Sequence, residues 1–169
     1  MVKKIIQLIF PLLGNVKKSH IAAGFAWGLL LGFVPLGNFF WIAFLVISLF
    51  FRYNYVTMVV VMFVIKLIMP LIAPLLDTIG WGILHIEALQ PLFTTMYDMP
   101  LVPFTRFNNT LVAGALVSGI VLWLPVFYVV MALVPLYRNT IGPRIWNVIM
   151  KIPFMRAISK AGKGDSNDK

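Results

Sequence analysis

The chain has 169 residues, enough for one domain, and no cysteine, so disulfides and thiolate metal sites are excluded. Its side chains are 61% hydrophobic and only 11% charged, whereas soluble chains are roughly a quarter charged. A soluble core of this size has no room for so much apolar surface, so the composition points to a bilayer. The net charge of +9 suggests nucleic acid until its placement is read. Lys3, Lys4, Lys17 and Lys18 precede the first long apolar run, and Arg138, Arg144, Lys151, Arg156, Lys160, Lys163 and Lys169 follow the last. Basic residues flanking apolar runs are the positive-inside signal of a membrane protein, and no nucleic-acid-binding motif accompanies them.

Residues 1–18 read as a basic N-terminal segment lying on the interface. Its apolar part, IIQLIFPLL, is short, Pro11 interrupts it, and Lys17-Lys18 stand where a signal peptide would need small residues. From Ser19 to Phe51 only His20 can carry charge. That run is too long for one span of about 20 residues and too short for two full ones. Pro35, Gly37 and Asn38 divide it, because proline cannot continue a helix ladder and glycine permits a turn. Residues 21–51 therefore predict a short hairpin, with halves 21–34 and 39–51 each about 20 Å long.

Within the first half, Gly24, Gly28 and Gly32 recur every fourth position. In lipid, apolar side chains gain nothing by facing another helix, so association favours small residues that let backbones approach. The glycine face predicts close packing against 39–51, 110–136 or a second protein. Gly114 with Ser118, and Ala115 with Gly119, offer a flat face on the last helix. Arg52 and Asn54 follow the hairpin as an interface segment.

A helix over 56–76 contains Lys66 at its middle and prolines at 70 and 74. A lysine at the centre of an apolar helix costs about 2.5–3.5 kcal/mol on insertion scales. Two readings stand: a functional charge paired with Asp77, Glu87 or Asp98, or a side chain that snorkels because the prolines end the helix early. Residues 77–109 hold three of the five acids, including Asp77 and Asp98, and read as an outer interfacial segment of short helices and loop. TRFNNT, at 105–110, opens the last helix, 110–136. Asn108 or Asn109 caps it, and Arg106 is suited to a lipid phosphate or a carboxylate. Pro125 predicts a kink. Residues 137–169 form a basic cytoplasmic tail in which Ile145, Val148, Ile149, Ile152 and Met155 fall at helical spacing, as in a helix on anionic lipid.

His20 and His85 are isolated, and no metal-ligand spacing, nucleophile–base pair or nucleotide loop is present. No metal or cofactor is expected, nor is an enzyme.

HIAAGFAWGLLLGFVPLGNFFWIAFLVISLFFRYN, through Ala23-Gly24-Phe25-Ala26, Gly28, Gly32, Pro35, Arg52 and Asn54, resembles a family of small bacterial inner-membrane proteins, domain-of-unknown-function family twenty-sixty-two. LQPLFTTMYDMPLVPFTRFNNTLVAGALV looks like a proteobacterial branch of it. The resemblance implies a membrane module and a neighbour resembling AsmA-type envelope proteins, which are associated with lipid traffic between membranes. It supplies no catalytic residues.

The expectation is thus an all-α, polytopic helical protein of the bacterial inner membrane. It has about four membrane-inserted helices, interfacial amphipathic helices and both termini cytoplasmic. Its expected role is a non-catalytic membrane subunit or anchor for a larger envelope protein, in contact with membrane lipids and with homo-oligomerisation left open. A small transporter using Lys66 and the broken helices is the alternative, and an intramembrane lipid-modifying enzyme the third choice.

Overall fold

A computed structural model describes residues 16–141, and among these it is built of helices and short turns without a strand. The expected interfacial segment over 5–13 and the basic helix through 145–155 lie outside the described residues. Five α-helices follow in order: α1 (Lys18–Phe33), α2 (Phe39–Leu49), α3 (Tyr55–Leu84), α4 (Gln90–Tyr97) and α5 (Thr110–Leu136). Single 3-10 turns at Glu87–Leu89 and Val102–Thr105 flank α4, and a π-turn over Tyr137–Ile141 closes the described chain.

Asparagines start three of these helices. Asn38 accepts from the Phe40 amide (2.8 Å), Asn54 from the Thr57 amide (2.8 Å) and Asn109 from the Val112 amide (3.1 Å). Each side-chain oxygen satisfies one of the orphan N–H groups of a helix's first turn. Of the two candidates before α5, Asn109 is therefore the cap, and Asn108 is exposed.

α1 is short and central. Eleven of its sixteen residues are buried, whereas only 11% of the most apolar window of α3, and 17% of that in Thr110–Thr140, is covered. The long helices therefore face outward and the short one is wrapped by them. Those two, Tyr55–Leu84 and Thr110–Thr140, are long and apolar enough to cross a membrane. α2 is eleven residues long and carries exposed Ile42, Val46, Ile47 and Leu49.

α2 returns the chain to the start of α1. Trp41 sits beside Leu31 at one end of α2, Trp27 packs on Phe51 at 5.5 Å past the other, and the Asn54 amide donates to the His20 carbonyl (2.9 Å). α3 then runs parallel to α1, with Gly24 opposite Asn54, Gly28 opposite Met58 and Gly32 opposite Ile65. A Cβ on Gly24 would lie 2.5 Å from the Asn54 carbonyl oxygen, and one on Gly28 2.6 Å from that of Met58. The glycine face of α1 thus lies on α3, and neither 39–51 nor 110–136 occupies it. The reason is the return limb: two parallel helices can be neighbours only when a third segment carries the chain back.

α5 runs antiparallel to both. Trp123 meets Trp27 edge-on at 5.8 Å, Gly119 faces Leu30, and the Arg138 guanidinium donates to the Val16 carbonyl (2.7 Å). Gly114 does not face the glycines of α1. It packs backbone to backbone on Leu76 and Gly80 of α3. Ala115 is fully buried and Ser118 half-buried.

α3 extends past the expected end at 76, continuing through Pro70 and Pro74 to Leu84. α5 likewise continues through Pro125 and Pro135. Each proline removes one ladder hydrogen bond, but in apolar surroundings a helix is still the local conformation that satisfies the remaining backbone groups. The stretch of short helices and loop consequently begins at His85 rather than at Asp77.

Candidate functional site: the broken end of α1

Several polar groups meet where α1 stops, while Ser48, Tyr53 and Thr57 are buried toward its start. Pro35 has no N–H, so the Leu31 carbonyl loses the donor four residues on. The Trp41 indole N–H of α2 supplies one instead (3.1 Å). The Val34 carbonyl is fed by the Lys66 ammonium of α3 (2.5 Å). A cation at a helix C-terminus is also favoured by the backbone dipoles. Gly37 turns the chain in the left-handed region, φ +77°, which a glycine adopts without a Cβ clash.

Asn38 is the second joint. It is 5% exposed. Its oxygen caps α2 while its amide donates to the Thr105 carbonyl (2.6 Å). The turn after α1 is thereby tied to the turn before α5. Thr105 is itself buried, and its hydroxyl donates to the Val102 carbonyl (2.5 Å). The Arg106 that follows lies in the left-handed region, φ 51°, with its side chain exposed.

An open cleft of about 360 Å³ adjoins this joint, lined by Pro35, Leu36, Lys66, Met69, Pro70, Ala73 and Leu111. Among the described residues that line it, Lys66 alone is charged. None of the expected acids folds toward Lys66. Asp77 accepts from the Thr110 hydroxyl, and Glu87 and Asp98 are exposed. Among the described residues Lys66 therefore has no acid partner, and it donates to the carbonyl of Val34 at the end of α1. A second cleft of about 350 Å³ collects Asp98, Asn108, Gln90 and Thr94 with Phe93, Tyr97 and Phe107. Among the described residues no three His, Cys, Asp or Glu side chains gather as a metal site would require.

Charge is divided between the ends of the bundle. Lys17 and Lys18 at the start of α1, Arg52 before α3 and Arg138 after α5 share one end, joined there by the Asn54–His20 and Arg138–Val16 bonds. Asp77, Glu87 and Asp98 belong to the other end, with Arg106.

Sequence reasoning singled out Lys66, Asn38, Pro35, Asn54 and Asn109, and the structure places the first three together. It missed Trp41, Val34, Thr105 and Gly80. Pro35 was the available signal for Trp41, because a proline after a helix leaves a carbonyl in want of a donor. No comparable signal pointed to Thr105 or Gly80.

A protein of Treponema pallidum (strain Nichols) described as "Uncharacterized protein" is 28% identical over 145 residues, spanning 86% of this chain and 90% of that one. No solved structure matches the chain. A family model described as "Uncharacterized protein conserved in bacteria (DUF2062)" matches residues 6–140, from before α1 to the π-turn after α5, and the chain belongs to that bacterial family.

Proposed function

We propose that the protein is a non-catalytic, multi-pass protein of the bacterial inner membrane that serves as the membrane subunit or anchor of a larger envelope protein in lipid transport. The observation that carries the reading is the division of charge. Four basic residues cluster at one end of the bundle, three acids belong to the other, and exposed apolar side chains cover α2, α3 and α5 between them. A bilayer with the basic end on the cytoplasmic side satisfies all three features at once. The subunit role is supported by how the inner polar groups are used. Asn38, Trp41 and Lys66 each hold a helix end, which is the work of a scaffold.

Purification of the tagged chain from native membranes in mild detergent, followed by mass spectrometry, tests the reading. A large envelope protein in near-stoichiometric amount is expected. The open cleft at Lys66 favours one competing reading, a small transporter. Recovery of the chain alone, together with solute flux from liposomes containing it, would replace the subunit with that transporter.

A further inference from the structure

Among the described residues, Lys66 is the charged residue that belongs to neither end of the bundle. It lies ten residues from either limit of the apolar stretch Val56–Leu76, about 15 Å along the helix each way. An ammonium has three N–H donors and no acceptor, and the bond to Val34 uses one of them. Among the described residues no acid lines the cleft that Lys66 borders. Its walls are Leu36, Met69, Ala73 and Leu111, with the rings of Pro35 and Pro70. The cleft is open to the outside of the bundle, and Leu36 on its wall is exposed. A positive donor in an apolar recess open to the lipid-facing side matches a ligand with a compact anion on an apolar body.

We infer that this cleft binds the phosphate of an anionic phospholipid, with Lys66 donating to the phosphate oxygens and the Leu36, Met69 and Leu111 side chains against its apolar part. The inference rests on the membrane reading given above and assigns it a ligand class. Charge-assisted hydrogen bonds of this kind are the strong ones, so the preference for an anionic over a zwitterionic lipid resides mainly in one side chain.

The test is lipid retention by the purified full chain. The protein is reconstituted in nanodiscs of equal phosphatidylglycerol and phosphatidylcholine, released into detergent, and its bound lipid read by native mass spectrometry. Phosphatidylglycerol is expected to remain in preference. Lys66→Gln keeps a donor for the Val34 carbonyl but no charge, and should lower that preference roughly tenfold, the size of one charge-assisted bond. Lys66→Arg should retain it. Ala73→Phe fills the cleft with Lys66 untouched and should also abolish it, so the proposal remains testable if Lys66→Gln does not fold. Equal retention of both lipids, or an undiminished preference in Ala73→Phe, overturns the proposal. Displacement of the lipid by soluble glycerol phosphate would assign the site to a free phosphate and overturn the lipid assignment. A carbonate wash of native membranes separates the two levels. A chain that stays in the pellet without a lipid preference rejects the cleft alone, and a chain released to the supernatant rejects the membrane reading.

Discussion

Gly80 of α3 and Gly114 of α5 touch through their backbones. A Cβ on Gly80 would collide with the Thr110 carbonyl, and one on Gly114 with that of Leu76. Neither collision can be relieved by turning a side chain, because the obstacle is main chain on both sides. Gly82, two residues on, has open space where its Cβ would be.

These neighbours give an internally controlled test. Gly114→Ala or Gly80→Ala should force the helices apart and cost at least about 1–3 kcal/mol, the usual range for overpacking. Gly82→Ala should be neutral or stabilise by up to about 1 kcal/mol through helix propensity. Thermal unfolding of the purified variants in one mild detergent reads both, and equal melting of Gly82→Ala and Gly114→Ala would refute the crossing.

Asn38 uses its two side-chain atoms differently, so two variants separate them. Asn38→Asp keeps an oxygen for the Phe40 amide and loses the donor to Thr105. Asn38→Ala loses both. The cap is worth about 1 kcal/mol and the buried bond to Thr105 about 1 more, with a further penalty for the orphaned carbonyl. Asn38→Asp should be the worse of the two if its carboxylate stays charged against the Thr105 carbonyl, since a buried unpaired charge exceeds either loss. The ranking is read from unfolding midpoints at neutral pH. At low pH Asn38→Asp should recover past Asn38→Ala, because a protonated carboxyl keeps an oxygen for the Phe40 amide and can donate to Thr105 again.

Replacing Lys66 by Met pits two effects of similar size. The hydrogen bond of a charged group to the Val34 carbonyl contributes about 1.5–3 kcal/mol, and removing a lysine from an apolar setting returns about 2.5–3.5 kcal/mol on insertion scales. Lys66→Met should therefore leave the melting temperature nearly unchanged. Trp41→Phe removes the donor to Leu31 with no such compensation and should lower it. A large loss in Lys66→Met with none in Trp41→Phe would reverse the account of how the end of α1 is closed.

Single cysteines report which side each end occupies, and the chain has none of its own. Placed at 54, 95 and 165, they should react with an impermeant thiol reagent from outside the cell only at 95. Outside labelling at 54 would mean that α2 does not bring the chain back to the basic end.

Much of this architecture could be read along the chain because its signals are local. Asparagine caps, the Pro35–Gly37 break and the four-residue glycine rhythm each depend on a few adjacent residues. What could not be read is which partner each signal meets. The glycines of α1 specify a close neighbour but carry no address, and α3 became that neighbour only because α2 is a return limb. Lys66 invited a search for an acid, yet its partner is a carbonyl made needy by a turn thirty-two positions earlier. The prolines at 70 and 74 suggested an end to α3, and apolar surroundings overrode them, since an interrupted helix leaves fewer unsatisfied groups than any alternative backbone.

The Asn38–Thr105 bond spans sixty-seven positions, and this sets an order of assembly. α1, α2 and α3 can pair as they leave the ribosome, because every contact among them lies within the first 84 residues. The amide of Asn38 must wait until Thr105 has been made and the chain between them has returned from the far end of the bundle. Closure of that end therefore follows the first three helices, while the docking of α5 and the Arg138–Val16 bond need residues made later still, and a chain stalled before residue 105 would hold three helices in place around an unlatched turn.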